Sequence, residues 1–247
     1  MSTDVTRDFA FGLPKAELHL HLEGTLEPDL KLALARKNGV DIGQSTVEEV
    51  QATYQFNDLT SFLAVYYPAM DVLQDEDDFH DLAAAYFERA RANGVVRAEC
   101  FFDPQAHTSR GIAIETVIRG YHRAVVEARE AGLSADLILC FLRDMSAQSA
   151  LETLQAALPY KDMFIGVGLD SDERDNPPTK FAEVFALARE AGLHVTMHCD
   201  IDQVGSIDNI RAALIELGAE RLDHGTNIVE DPELVAYARD HGIGLTS

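Results

Sequence analysis

Short apolar segments alternate along this chain with longer segments in which apolar residues recur at helical spacing. The first kind is typical of buried β-strands and the second of amphipathic helices. The predicted strands are 15–22, 95–103, 134–142, 163–171, 194–200, 221–225 and 242–247. The predicted helices are 28–38, 47–54, 58–67, 76–93, 115–131, 147–157, 179–191, 206–217 and 231–241. Pro28 near a helix start, and Gly132 and Gly192 where helices should end, support these boundaries.

Apolar strands that alternate with helices predict an α/β fold in which helices cover a parallel sheet. Because the sequence shows no repeat or linker, residues 1–247 are expected to form a single domain. A (β/α)8 barrel needs eight strands, and the pattern yields seven, the last of them 242–247. We therefore expect a TIM-type barrel that is incomplete at its C-terminal end by about 50 to 100 residues. Strands one and seven would then be unpaired edges.

Two histidines separated by one residue, His19 and His21, lie in the first predicted strand, shortly before Gly24. Because side chains alternate along a strand, both imidazoles lie on one face. His198 and His224 follow late predicted strands, and a barrel of this kind carries its chemistry at the carboxyl ends of its strands. Imidazoles that converge from one side bind a divalent metal ion. The four histidines therefore predict a metal centre.

The charge, the apolar runs and the cysteines argue against nucleic-acid-binding, membrane and secreted proteins. The formal net charge of −22 argues against sequence-independent nucleic-acid binding, which needs a basic surface. No apolar run is long enough to span a bilayer, and no signal peptide is recognisable. Cys100, Cys140 and Cys199 have no paired spacing and indicate reduced thiols. We expect a cytoplasmic protein that binds neither nucleic acid nor membranes.

Longer motifs stand in order along almost the whole chain. They are PKAELHLHLEGTLEP (14–28), LTSFL (59–63), AECFFDPQ (98–105), LCFLR (139–143), GVGLDS (166–171), NPPTKF (176–181) and RLDHG (221–225). Together they resemble the adenosine/adenine deaminase family of the amidohydrolase superfamily, and most of all its adenine deaminase branch.

The resemblance implies zinc-dependent hydrolytic deamination of a purine, with release of ammonia. It implies that His19, His21 and His198 bind one zinc ion per chain, and that His224 orients the attacking water. Three neutral imidazoles with an open coordination position suit this chemistry, because zinc lowers the pKa of its water toward neutrality. The fourth strand ends without a lysine that a second metal would use, which supports a single metal ion.

Two features depart from the family pattern. The family usually has His-Ala-Gly-Glu where this chain has His198 followed by Cys-Asp-Ile, so Ile201 replaces a glutamate that moves a proton to the purine ring. Asp200 or Asp202 is expected to take over this role, unless both are solvated loop carboxylates or helix N-caps. The family also has an aspartate zinc ligand after strand eight. We therefore expect the 247-residue chain alone to be inactive or very slow.

The same resemblance sketches a substrate pocket. Glu23 and Gly24 are expected on the purine side, and the amides near Asp170 and Ser171 are expected to hold a ring nitrogen. Phe62 either packs on the purine face or is a core aromatic at helical spacing. Glutamate at position 23 resembles enzymes that act on the free base. Adenine is therefore the first candidate substrate, followed by adenosine and N6-substituted adenines.

Two other functions stay open. One is a degenerate deaminase-like barrel that binds a purine without turnover, or serves as an assembly partner. The other is a different mononuclear metal-dependent amidohydrolase or a phosphoesterase, since His-x-His after strand one is shared across barrel hydrolases. The expected partner is a small-molecule purine, and the sequence does not decide between a monomer and a homo-oligomer.

Overall fold

Seven strands form one parallel sheet, in the order in which they occur along the chain. The computed structural model describes residues 3–57, 59–199 and 204–246. The strands are β1 Lys15–His21, β2 Val95–Phe102, β3 Ser134–Leu142, β4 Gly166–Asp170, β5 His194–Cys199, β6 Arg221–His224 and β7 Gly244–Thr246. All seven predicted strands are confirmed, and the predicted ends differ from the observed ends by at most three residues.

Helices alternate with the strands. Within the described residues the α-helices are α1 Thr3–Gly12, α2 Pro28–Asn38, α3 Val47–Ala52, α4 Leu59–Ala69, α5 Glu76–Ala92, α6 Pro104–Thr108, α7 Ile114–Glu130, α8 Ala147–Ala157, α9 Ala182–Glu190, α10 Ser206–Arg211 and α11 Pro232–His241. All nine predicted helices are found. The apolar pattern misses α1 and α6. Helix α6 has five residues, which is too short to show a helical period.

The larger apolar core lies between the sheet and the helices. In β3, Leu139 and Phe141 belong to this core, and the Phe141 ring packs against Phe185 of α9 with ring centres 5.8 Å apart. The alternate residues Ile138 and Cys140 instead join a small cluster inside the barrel. This alternation follows from the two-residue repeat of a strand, and it gives the barrel separate inner and outer layers.

Charged side chains occupy much of the barrel interior below the small apolar cluster. Arg221 lies 2.5 Å from Glu99 and 3.0 Å from Asp223, and Arg97 lies 2.6 Å from Glu99. The Arg221 guanidinium also lies 5.6 Å from the centre of the Phe101 ring. TIM-barrel interiors are usually filled by branched apolar residues. Here a network of ion pairs supports the floor of the barrel.

A bulge in β1 separates its polar residues between the two faces of the sheet. Glu17 pairs with Ala98 and Leu20 pairs with Cys100, so β1 has one extra residue between these pairs. Strict alternation would place Glu17 on the same face as His19. Instead Glu17 accepts a hydrogen bond of 2.7 Å from Tyr86 of α5, on the outer face. Because of the bulge, the histidines of β1 lie on the inner face of the sheet without Glu17 beside them.

The sheet curls into a nearly closed barrel with β1 and β7 as its edge strands. The two edges approach each other where Thr246 Oγ1 of β7 lies 3.2 Å from His19 Nδ1 of β1. The predicted fold class, a TIM-type barrel with seven strands, is confirmed. None of the helices in the described ranges is long and apolar enough to cross a membrane.

Asp78 joins the start of α5 to α2. Its side chain is fully buried, and it accepts hydrogen bonds of 2.7 Å from Lys37 and Asn38 and of 2.8 Å and 3.1 Å from the amides of Gln74 and Asp75. Burial alone would raise the pKa of Asp78, but these bonds hold it below its ordinary value. The folded state therefore favours the ionised carboxylate.

We expect Asp78→Asn to reduce the free energy of unfolding by about 2–4 kcal/mol near pH 7, because Lys37 loses its buried partner and the new amide faces N–H donors. A folded-state pKa below the unfolded value of about 3.9 gives stability that is present above that value. That stability is lost as the pH falls through the folded-state pKa. Urea unfolding should thus show a gap between wild type and variant that narrows below about pH 4.

Glu130→Gln, at an exposed carboxylate at the end of α7, is the matched control and should leave stability within about 0.5 kcal/mol of wild type. An Asp78→Asn variant as stable as the control at neutral pH would contradict the role given to this carboxylate.

Candidate metal centre and adjoining pocket

The carboxyl ends of β1, β5 and β6 bring four histidines together. His198 Nε2 lies 3.1 Å from His19 Nε2 and 3.0 Å from His21 Nε2. The ring centre of His224 lies 4.6 Å from that of His19 and 5.4 Å from that of His198. All four histidines that the sequence singles out are therefore neighbours at one rim of the barrel.

The hydrogen bond at Nδ1 of His198 determines whether its Nε2 carries a proton or a lone pair. Nδ1 lies 3.0 Å from the carbonyl oxygen of Leu169 and donates its proton to it. A neutral imidazole carries one N–H, so His198 Nε2 has a lone pair. That lone pair cannot accept good hydrogen bonds from both His19 and His21. Nitrogen ligands of a tetrahedral zinc ion with bonds of about 2.0–2.1 Å lie about 3.4 Å apart, so both measured separations are close to those of a pair of zinc ligands.

Burial keeps these imidazoles neutral. It lowers the pKa of His19 to about 4. Burial, reinforced by the neighbouring His21, His19 and His224, also lowers the pKa of His198 well below its ordinary value. A histidine binds a metal ion only when the binding nitrogen is deprotonated. Both residues are therefore in the neutral, metal-binding form at neutral pH.

His224 ends β6 in a left-handed backbone conformation, with φ of 73°. For a residue other than glycine this conformation costs on the order of 1–3 kcal/mol and is found mostly at functional sites. One donor atom each from His19, His198 and His224 lies within 4.8 Å of the others. The geometry thus admits His224 as a metal ligand in place of His21, as well as in the predicted role beside the metal.

Two buried carboxyl groups, Asp103 and Asp170, stand behind His21. His21 Nδ1 lies 3.3 Å from Asp170 Oδ2, without the geometry of a hydrogen bond. A carboxylate beside the second nitrogen of a histidine is common at metal sites. Burial raises the pKa of Asp170 to about 7, and burial with the neighbouring carboxyls of Asp170 and Glu23 raises that of Asp103 well above its ordinary value. The raised pKa values favour one shared proton over two negative charges on this pair.

Asp103 is a residue that the sequence reasoning missed. It directly follows β2, and it lines the same cavity as Asp170 and the histidines. The rule that pointed to Asp170, namely a polar residue at the carboxyl end of a predicted strand, also applies to Asp103 and would have found it.

A cavity of about 450 Å³ opens beside the histidines. Four of the predicted pocket residues line it, namely Gly24, Phe62, Asp170 and Ser171. Ser171 has a left-handed backbone, with φ of 75°, and its hydroxyl lies 2.8 Å from that of Tyr67, which the sequence did not suggest. Small-molecule sites commonly have volumes of about 300–1,000 Å³, so the cavity is large enough for a purine.

The two expectations for Phe62 are compatible. Its ring lines the cavity, and it also packs against Phe56 and Tyr66, with ring centres 5.1 Å and 5.2 Å away. Phe62 thus belongs to an aromatic cluster that has one side toward the cavity.

Glu23 lies behind Asp103, against α6 and α7. Its Oε1 accepts hydrogen bonds of 3.1 Å from the Asp103 amide, from His107 and from Tyr121. Within the described residues its Oε2 has no hydrogen-bond partner, and the side chain lines a smaller adjoining cavity of about 160 Å³. The role of Glu23 as a substrate contact stays a prediction.

Asp200 and Asp202, the two candidates for proton transfer, lie outside the described residues. Their role also stays a prediction.

Comparisons with known proteins agree with this geometry. The family model for adenosine deaminase matches residues 14–247. Adenine deaminase of Geotalea uraniireducens is 53% identical over 235 residues, which are 95% of this chain and 66% of that protein. The crystal structure of adenine deaminase from Arthrobacter aurescens superimposes with a TM-score of 0.89 at 46% identity, and the match covers 94% of this chain and 71% of that one.

A second solved structure bears on the metal. An amidohydrolase from Burkholderia ambifaria, solved with bound Zn, superimposes with a TM-score of 0.83 at 30% identity, over 99% of this chain and 68% of that one. The chain therefore spans about two thirds of the length of these relatives.

The named relatives confirm the expected class of enzyme, a hydrolytic deaminase. The family model covers nearly the whole chain, half of the residues are identical to those of named relatives, and the predicted histidines meet at the rim of the barrel. This chain belongs to the adenosine deaminase family.

Proposed function

We propose that this chain forms the zinc centre and the purine pocket of a hydrolytic adenine deaminase. The observation that carries the proposal is the convergence of the Nε2 atoms of His19 and His21 on that of His198, at 3.1 Å and 3.0 Å, beside a cavity of purine size. Relatives named adenine deaminase support the substrate. A related amidohydrolase with bound Zn supports the metal.

The proposed reaction adds water to the purine carbon that bears the amino group and releases ammonia, so that adenine becomes hypoxanthine. When bound, zinc supplies a water molecule whose pKa is lowered toward neutrality. His198 is fixed by its hydrogen bond to the Leu169 carbonyl, His21 Nδ1 lies 3.3 Å from Asp170, and the two Nε2 atoms lie 3.0 Å apart. Oriented ligands of this kind leave little reorganisation for the reaction itself.

His224 is the proposed residue that orients the water and stabilises the charge that develops on it. Burial lowers the pKa of His224, so its imidazole is neutral at neutral pH and has one nitrogen that donates and one that accepts. Its ring centre lies 4.6 Å from that of His19. This places it next to the point at which the Nε2 atoms converge.

The purine itself would lie in the cavity, with Ser171 and Tyr67 as polar contacts and Phe62 against a ring face. Asp200 or Asp202 would move the proton between water and the ring nitrogen. We further propose a cytoplasmic location, supported by three buried cysteines, Cys100, Cys140 and Cys199, none of which forms a disulfide.

We expect the wild-type chain to bind one zinc ion, and His198→Ala to weaken zinc binding by more than about a hundredfold, because a central ligand is lost. Titration against a competing chelator measures this. The matched control is His194→Ala at the start of the same strand, where the side chain is 70% exposed and contacts Glu220. Equal affinities of His198→Ala and His194→Ala would contradict the proposed centre.

The same titration identifies the third ligand. We expect His21→Ala to weaken zinc binding as strongly as His198→Ala does, and His224→Ala to change it by no more than a few-fold while turnover falls by about 10²- to 10³-fold. The reverse order of affinities would assign the ligand position to His224.

We expect an enzyme in which this chain is extended through an eighth strand with its aspartate zinc ligand to convert adenine to hypoxanthine, with kcat/KM at least about tenfold above that for adenosine, a difference of about 1.4 kcal/mol. Chromatography of the products and an ammonia assay measure this, with His198→Ala as the blank. A higher kcat/KM for adenosine would overturn the choice of substrate. Tight binding of zinc and adenine without turnover would favour the non-catalytic barrel.

In the same extended enzyme, we expect one of the variants Asp200→Asn and Asp202→Asn to lower kcat by about 10²- to 10⁴-fold, the usual contribution of a general acid or base, with zinc affinity unchanged. The other variant serves as its matched control. Wild-type kcat in both variants would show that the two residues are solvated loop carboxylates.

A further inference from the structure

The Nδ1 nitrogen of His19 stands at the end of a series of hydrogen bonds that crosses the barrel interior. It lies 3.2 Å from Thr246 Oγ1, and that hydroxyl donates to Asp223 Oδ1 over 2.8 Å. Asp223 also accepts from Thr196 Oγ1 at 2.5 Å and from Arg221 Nε at 3.0 Å. The two edge strands β1 and β7 are thereby connected through β6.

The chemistry of these groups sets the direction of each hydrogen bond. Asp223 is fully buried, is ion-paired with Arg221 and faces two hydroxyl groups, so it accepts at both oxygens. The hydroxyl of Thr246 has a single proton, which goes to Asp223. Its lone pair is then left for His19, so the proton of that bond comes from His19 Nδ1. A neutral His19 with its proton on Nδ1 has a free lone pair on Nε2.

For His198 the position of the proton follows from a simpler contact. His198 Nδ1 faces a backbone carbonyl, that of Leu169, and His21 Nδ1 faces the Asp170 carboxyl group. A carbonyl oxygen only accepts. A threonine hydroxyl can donate as well as accept, so the Thr246 hydroxyl alone would not determine which nitrogen of His19 carries the proton, although the main chain of Thr246 also favours a proton on this ring. Asp223 removes this ambiguity.

We propose that Thr246 and Asp223 are positioning residues that hold the proton of His19 on Nδ1 and thereby keep its Nε2 free to bind the metal ion. This inference rests on the proposed function and deepens it. It gives Asp223, which precedes His224 and forms a buried ion pair with Arg221, a role in orienting His19.

The test compares Thr246→Val, which keeps the shape of the side chain but loses the hydroxyl, with Thr246→Ser, which keeps the hydroxyl. Thr246→Val should weaken zinc binding about 10- to 100-fold, as is usual when a partner of a histidine ligand is lost. Thr246→Ser should bind zinc within about threefold of wild type. Thr226→Val, at an exposed threonine just after β6, controls for the loss of a hydroxyl as such and should bind zinc like wild type.

Nitrogen NMR of the metal-free protein provides a readout that does not depend on activity. Wild-type His19 should carry its proton on Nδ1, whereas Thr246→Val and Asp223→Asn should show a mixture of the two tautomers. Equal zinc affinity of wild type and Thr246→Val, with His19 in the same tautomer, would overturn this inference alone. A wild-type chain that binds no zinc would overturn the proposed function, and this inference with it.

Discussion

The rest of the structure depends on one constraint, the close approach of three imidazole nitrogens. The Nε2 atoms of His19 and His21 lie 3.1 Å and 3.0 Å from that of His198. Uncompensated lone pairs at this distance repel each other, so a rigid frame has to hold them. Two parallel strands of the barrel provide the backbone. The Leu169 carbonyl and the Thr246 hydroxyl lie within hydrogen-bond distance of Nδ1 of His198 and of His19, and Asp170 lies 3.3 Å from Nδ1 of His21. Burial keeps His19 and His198 neutral at physiological pH. The close approach of these nitrogens would be unfavourable by itself, and a bound metal ion would compensate for it.

The need to orient these histidines with buried polar groups explains why the barrel interior is so polar. A buried carboxylate is tolerated only with a partner, and Asp223 has Arg221, which is in turn paired with Glu99 and, through it, with Arg97. The pairs extend from the floor of the barrel to the hydrogen bonds beneath His19. The apolar cluster inside the barrel is correspondingly small. Stability therefore comes mainly from the outer layer between sheet and helices, while the inner layer orients the site.

The sequence predicts most of this architecture, because the period of apolar residues and the placement of polar residues at strand ends are local signals. All seven strands, nine of the helices and the neighbourhood of the four histidines follow from them. The bulge in β1, which sends Glu17 outward, leaves no trace in the pattern. The contact between Thr246 and His19 joins residues 227 positions apart, and no local signal reports such a distance. Glu23 shows a further limit, since its motif gives no sign that its Oε1 accepts three hydrogen bonds within the protein.

The central claim is that the three converging nitrogens form one zinc site. Anomalous X-ray diffraction at the zinc absorption edge from zinc-loaded crystals tests it most directly. We expect one anomalous peak per chain, at about 2.0–2.1 Å from the Nε2 atoms of His19, His21 and His198. A peak elsewhere, or no peak at these nitrogens in protein that has been shown to contain zinc, would contradict it.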